Sequence, residues 1–172
     1  MFNIKGAYLA MITLVAASNY LVQFPINDWL TWGALPYPVC YLITELTNRF
    51  HGPKSARKVV YAGFILAAAI SILIAPMKIA IASLLAFLVS QMLDIYVFNQ
   101  LRRLTWWVAP LIASFFASII DASIFWPIAF WGEQVSLLTW AIGDTAVKLS
   151  IDIILLTPFR LIAKKEILQS PS

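Results

Sequence analysis

RFHGPKSARK, residues 49–58, is a basic stretch with a Gly-Pro turn signal, set between two apolar runs. The runs on either side, 33–50 and 59–75, are each close to the roughly 20 residues that a helix needs to cross ~30 Å of hydrocarbon. Two apolar helices joined by a short basic loop make a membrane hairpin whose loop stays in the cytoplasm. Working outward, four further runs have the same character: 6–22, 79–98, 106–130 and 137–162. Pro36 and Pro38 fall in the first turns of the second run, where a missing amide hydrogen is tolerated. Only Pro76, Met77 and Lys78 separate the third run from the fourth, which predicts a second tight hairpin.

Charge placement orients these spans. Lys5, Arg49, Lys54, Arg57, Lys58, Arg102, Arg103, Arg160, Lys164 and Lys165 all fall on one side of an alternating six-span layout. Lys78 alone falls on the other, and Lys148 lies within the sixth span. That asymmetry predicts that both termini are cytoplasmic. Trp29, Trp32, Trp106, Trp107, Trp131 and Trp140 sit near span ends, as interfacial indoles do.

Composition agrees. Of 172 residues 62% are apolar and 12% are charged, and the mean hydropathy is +0.85. A soluble domain carries about twice that share of charge. The expectation is an all-α integral membrane protein with six transmembrane helices, folded as a single domain over residues 1–172 and embedded in a lipid bilayer. The net charge of +4 sits in loops, and no basic patch fit for nucleic acid remains. The first run lacks a small-residue cleavage site and reads as a retained helix. Cys40 is the single cysteine, so no intrachain disulfide forms, and a small buried hydrophobe is its simplest role.

The acids are the informative residues. Asp28 and Glu133 fall in external loops and Glu166 in the tail, but Glu45, Asp94, Asp121, Asp144 and Asp152 fall within spans or at their edges. Each embedded acid costs about 2.5–3.5 kcal/mol on insertion scales, so a pure scaffold has no reason to keep five. Asp144, Lys148 and Asp152 are spaced i, i+4, i+8 and share a helix face. Lys148 can pair with either carboxylate. The group reads either as an internal ion pair that fixes packing or as a polar stripe along a pathway. Gln91 and Asp94 are i, i+3 on the fourth span, with Ser90 one turn before Asp94 and Asn99 beyond it. Thr44, Glu45 and Asn48 cluster on the second span, Asn19 and Gln23 on the first, and Asp121 stands between Ser118 and Ser123 on the fifth. The neutral groups have a simpler reading as interhelical glue.

Other chemistries find no support. No phosphate-binding loop, dinucleotide fingerprint or Cys/His metal cluster is present, so neither cofactor nor metal is expected. His51 is the one histidine and reads as solvated in the basic loop. The motifs of an intramembrane protease are missing, so an enzyme is not expected.

With these motifs located, the chain resembles the queuosine precursor transporter family, also called the vitamin uptake transporter family. The likeness runs through Ser18-Asn19-Tyr20-Leu21-Val22-Gln23, Thr31-Trp32-Gly33-Ala34 and Thr44-Glu45-Leu46-Thr47 to Ala56-Arg57-Lys58. It continues in Gln91 with Asp94, Val97-Phe98-Asn99, Trp106-Trp107, Asp121, Ile128-Ala129-Phe130-Trp131, Asp144 with Lys148, and Pro158. The family often has Asp where this chain has Glu45, and its loop between spans three and four can be longer. The resemblance implies uptake of 7-cyano-7-deazaguanine or 7-aminomethyl-7-deazaguanine across a bacterial inner membrane. A carboxylate suits the paired N1–H and exocyclic amine of such a base. Glu45, Gln91, Asp94, Asp121 and Lys148 are the expected core of the substrate site, with Asn48, Asn19 and Gln23 beside them. Tyr37, Tyr96, Phe98, Phe125 and Trp126 are available as flat walls. The alternative is the substrate-capture subunit of an ATP-driven vitamin importer. Such subunits commonly dock through Ala-x3-Ala on the first helix, and Ala7, Ala10, Ala16 and Ala17 lack that spacing. A homo-oligomer is compatible with the sequence.

Overall fold

Asn3 opens the first helix by accepting the Lys5 amide at 3.0 Å, which satisfies a backbone donor that a helix start leaves free. The computed structural model describes residues 2–27, 30–134 and 136–167. Helix α1 (Ile4–Leu21) leads to two very short antiparallel strands, β1 (Pro25–Asn27) and β2 (Leu30–Thr31), then to a 3-10 turn over Trp32–Ala34. The chain continues through α2 (Tyr37–Ile74), α3 (Met77–Leu101), α4 (Val108–Ala129) and α5 (Leu137–Ile167).

Helix α2 is one element in hydrogen bonding but two in direction. Gly52 has φ 79° and ψ 170°, a conformation open in practice to glycine alone. Pro53 follows it, where its fixed φ suits a new helical turn. The arm 37–51 runs against α1: Ser18 Oγ donates to the Gly33 carbonyl at 2.8 Å at one end, and Phe2 stacks on Phe50 at the other. The arm 53–74 runs with α1, since Gly63 lies against Met11 and Ser71 against Asn19. The chain therefore turns back at Gly52, inside the stretch RFHGPKSARK.

The remaining helices keep alternating. Thr44 meets Gln91, Asn48 meets the Ile95 carbonyl, and Arg49 meets the Arg102 carbonyl, so α3 runs parallel to the arm 37–51. Helix α4 returns and brings Asp121 to Tyr37, and α5 runs back until Arg160 lies 4.8 Å over the Trp106 ring. Phe2, Phe50, Arg49, Arg102 and Arg160 thus gather at one end of the bundle. Asn19, Gly33, Ser71, Ser83, Lys78 and Trp131 gather toward the other.

Small residues let the helices approach. Ala80, Ala82, Ala86, Ala113 and Ala117 are at most 1% exposed, and α3 and α4 form the most extensive pairing in the bundle. Outside, Leu9, Ile65, Leu73, Leu138 and Ile154 are bare, as a lipid-facing surface requires. Among the described residues, four helical stretches are long and apolar enough to cross a membrane: Ile4–Leu21, Trp32–Leu73, Met77–Leu101 and Val108–Ala129. The protein is an all-α membrane protein. In α5 the residues Asp144, Lys148 and Asp152 interrupt the apolar run.

One expectation needs correction. His51 is half-buried, with Nε2 3.2 Å from the Phe2 carbonyl, because the turn at Gly52 folds it onto the N-terminus. Lys148 pairs with Asp144, one of the two carboxylates open to it on its own helix face, and reaches across the helix interface to Asp121 as well, because that face of α5 packs onto α4. Asp28 and Trp29, and the side chains of Lys165 and Glu166, lie outside the described residues.

Candidate solute site

Buried charge collects in two layers within the bundle. The outer layer centres on Lys148. Its ammonium lies 2.6 Å from Asp144 one turn away on α5 and 2.7 Å from Asp121 on α4. All three side chains are buried, Lys148 and Asp144 at 4% exposed and Asp121 at 3%. Tyr37 donates its hydroxyl to the other Asp121 oxygen at 2.5 Å, and its ring lies 4.5 Å beneath the ammonium. Such a ring adds a cation–π attraction to the ion pairs. Ser90 donates to the same Asp121 oxygen at 3.4 Å. A buried ion pair needs bonds to its remaining lone pairs, and Tyr37 and Ser90 supply them at the second Asp121 oxygen.

Beside it lies a cavity of about 20 Å³, lined by Ser18, Asn19, Gly33, Tyr37, Asp121, Phe125, Trp126, Asp144 and Lys148. That volume holds one or two water molecules. A bicyclic base fits only when the walls part. Asn19 forms the far wall, where its side chain donates to Ser71 and accepts from Ser83. Gly33 is required here because a β-carbon would come within 2.8 Å of the Ser18 carbonyl and the Val22 backbone. Trp126 joins Phe125, Phe130 and Trp140 in an aromatic cluster toward the outer end, with Trp126 and Phe130 stacked at 5.2 Å.

The inner layer holds Glu45, Asn48, Gln91, Asp94 and Asp152, all buried. Gln91 Oε1 accepts from Thr44 at 2.5 Å, while its amide nitrogen has no partner. Asn48 donates to the Ile95 carbonyl at 3.2 Å, and its oxygen is unpartnered. Neither oxygen of Asp94 is bonded. Glu45 and Asp152 share a second small cavity with Ser114, Leu155 and Phe159.

Of the residues singled out from the sequence, Asn19, Asp121 and Lys148 meet at the outer cavity. Glu45, Asn48, Gln91 and Asp94 meet one layer deeper. Gln23 joins neither, and its amide donates to the Tyr20 carbonyl at the end of α1. Phe125 and Trp126 are walls of the outer cavity, whereas Phe98 packs in an inner apolar core and Tyr96 is 58% exposed. The partners missed were the Tyr37 hydroxyl, Ser71 and Ser83. Each lies on a different helix from the group it serves, and no spacing along one helix reveals such a pair. Among the described residues no three His, Cys, Asp or Glu side chains are close enough to hold a metal ion.

The arrangement can bind a polar, flat, donor-rich solute. It offers carboxylates, a cation, an amide and an indole wall, all on buried side chains. Ionised Asp121 and Asp144 against one ammonium leave a net negative charge.

The family described as "Putative vitamin uptake transporter" matches residues 31–77 and 71–163. The chain is 37% identical to the "Probable queuosine precursor transporter" of Haemophilus influenzae, over 86% of this chain and 80% of that protein. It is 32% identical to the "Queuosine precursor transporter" of Escherichia coli over the same shares. It is 28% identical to the "Probable queuosine precursor transporter" of Bacillus subtilis, over 80% of this chain and 72% of that protein. No solved structure matches. Helices α2, α3 and α4 and most of α5, including Asp121, Asp144 and Lys148, lie within the matched segments, and the chain belongs to the vitamin uptake transporter family.

Proposed function

We propose that this chain carries queuosine precursors, 7-cyano-7-deazaguanine or 7-aminomethyl-7-deazaguanine, into the cell across a bacterial inner membrane. The reading rests on family membership joined to one observation: a fully buried lysine held between two buried carboxylates beside a cavity walled by indole and phenyl rings. The transporters of Haemophilus influenzae and Escherichia coli bear the substrate class in their names. Such a protein moves its solute unchanged and is no enzyme. The relatives lend nothing to the alternative of a capture subunit in an ATP-driven importer.

In this reading the single domain spans the membrane six times with both termini in the cytoplasm. The reversal at Gly52 supports counting α2 as two spans. The bundle end that gathers Arg49, Arg102 and Arg160 supports the orientation, because basic residues stay inside. Helix α5 counts as a span because Lys148 joins Asp144 and Asp121 inside the bundle and Asp152 is buried beside Glu45, which keeps these charges off lipid.

Asp121 and Asn19 read the edge of the base, Phe125 and Trp126 cover its faces, and Lys148 meets its carbonyl. Glu45, Asn48, Gln91 and Asp94 line the deeper part of the route. A cavity that holds one or two waters is an occluded form, from which the outer or inner ends of the helices part in turn. Uptake of both deazaguanines by the purified chain alone in liposomes tests this. Saturable entry, absent in Asp121→Asn, is the expected result. A folded chain that neither binds nor moves either base refutes the reading.

A further inference from the structure

Glu45, Asp94 and Asp152 present a different chemistry from the outer layer. Asp121 and Asp144 share a lysine, whereas among the described residues no lysine or arginine pairs with any of these three. They come from α2, α3 and α5 and lie close enough for each to feel the others' charge. Asp94 is 0% exposed with both oxygens unbonded, and Glu45 and Asp152 each keep one buried oxygen without a partner. Three ionised carboxylates cannot share a dry pocket without counter-ions. Protonation is the simplest way for buried carboxylates without a basic partner to shed their charge.

A second observation ties this layer to the solute site. Tyr41 is 0% exposed, its hydroxyl lies beside Ser90 without a well-formed hydrogen bond, and Asp121, Asp94 and Asp152 are all within its electrostatic reach. Its ring packs edge-on against Tyr37, the residue that donates to Asp121. The groups around the three acids are Tyr41 on α2, Ser114 and Ser118 on α4, and Lys148 on α5, whose ammonium is taken up by Asp121 and Asp144. A buried hydroxyl packed against the Tyr37 ring and within reach of both acid layers suits a relay, since a hydroxyl both donates and accepts.

We propose that Glu45, Asp94 and Asp152 form a proton-carrying centre, linked through the Tyr41 hydroxyl to Asp121, so that solute entry is coupled to inward proton movement. A proton taken up from the outer side rides on this centre while the solute occupies the outer cavity, and both leave to the cytoplasm. This rests on the transport reading above.

The test uses the purified full chain in liposomes with a pH-sensitive dye inside, membrane potential clamped at zero, and labelled 7-aminomethyl-7-deazaguanine outside. An inward gradient of one pH unit is worth ~1.4 kcal/mol per proton, which permits about tenfold accumulation for one proton per solute. The wild-type chain is expected to accumulate solute toward that limit, to acidify the lumen as it does so, and to lose both with a protonophore. Asp94→Asn is expected to bring the accumulation ratio down to one. Tyr41→Phe keeps shape and removes a hydroxyl without a well-formed hydrogen bond, so it is expected to lower the ratio while melting no earlier than wild type. Glu45→Gln serves if Asp94→Asn fails to fold. Wild-type entry that only equilibrates, with no lumen acidification, overturns the proton centre and leaves the transport reading standing. So does full accumulation by the folded variants. A folded chain that moves no solute under any gradient removes both.

Discussion

Arg49 and Arg102 cap one another's helices. Arg49 Nη1 donates to the Arg102 carbonyl at 2.9 Å, and Arg102 Nη2 donates to the Arg49 carbonyl at 3.4 Å. Each carbonyl belongs to a helix end, where acceptors lack intrahelical partners and the helix dipole is negative. Arg102 also reaches Asn99 Oδ1 at 3.5 Å. The clasp ties the arm 37–51 to α3 at the end where Phe2 and Phe50 stack.

Arg102→Ala is therefore expected to loosen that end, with a loss of about 1 kcal/mol, the scale of one interhelical hydrogen bond in a membrane bundle. Arg102→Lys is expected to rescue little of it, because a single ammonium lacks the planar fork that meets two acceptors at once. Thermal unfolding in detergent reads both variants. A midpoint unchanged in Arg102→Ala rules out a stabilising clasp.

Lys148→Met is expected to be far more damaging. It strands Asp121 and Asp144 in a site where both are under 5% exposed. Breaking one partner from a buried pair costs about 3–5 kcal/mol because the charge left behind has no solvent. Adding Asp121→Asn and Asp144→Asn removes the stranded charges and should restore part of that loss. A double-mutant cycle on Lys148 and Asp121 measures the coupling. Strict additivity would mean that the 2.7 Å contact contributes nothing.

Gly52→Ala tests the chain reversal. A β-carbon there meets nothing within 4 Å, so crowding is not the issue. The cost comes from φ of 79° with ψ of 170°, which a side chain strains by about 1–3 kcal/mol. Loss of thermal stability without any change in solute selectivity is the expected pattern. A neutral Gly52→Ala would mean that the turn relaxes to an ordinary backbone. Gly33→Ala should differ in kind, because its β-carbon strikes the backbone of α1 and prises open the wall of the outer cavity.

These variants also mark what was legible in the sequence. RFHGPKSARK announced a break by composition, and Gly52-Pro53 within it is where the chain turns. Each apolar run overlaps a helix, the second and third sharing α2, because lipid requires continuous apolar surface and internally bonded backbone. Asp144 and Lys148 were legible as a pair because one helix sets their spacing. The link from Lys148 to Asp121 was not, since it depends on how α5 rotates against α4. Nor was the division of the acids into a paired outer layer and an unpaired inner one. Glu45, Asp94 and Asp121 look alike along the chain, and only packing decides which of them meets the lysine. Gln23, one turn beyond Asn19, was drawn into the site by that spacing, but α1 ends at Leu21 and its side chain folds back on Tyr20.

Asp144→Asn probes the charge of the solute that the outer site accepts. Asp121 and Asp144 bring two negative charges to one ammonium, so the site with both ionised favours a cation. The aminomethyl base carries an ammonium at neutral pH and the cyano base carries none. One charge at ~4 Å in a medium of effective dielectric ~20 is worth about 4 kcal/mol, and partial solvation reduces that. Removing the Asp144 charge leaves Lys148 matched one-to-one with Asp121. The ratio of affinities, aminomethyl over cyano, is then expected to fall about tenfold, which corresponds to ~1.4 kcal/mol. Competition binding to the detergent-purified chain measures that ratio directly. Lys148 keeps its contact with Asp121, so the variant should still fold, and a collapse of binding for both bases alike would point to lost structure rather than lost charge. A ratio that stays at the wild-type value in a folded Asp144→Asn chain would mean that the extra negative charge is not what the solute meets.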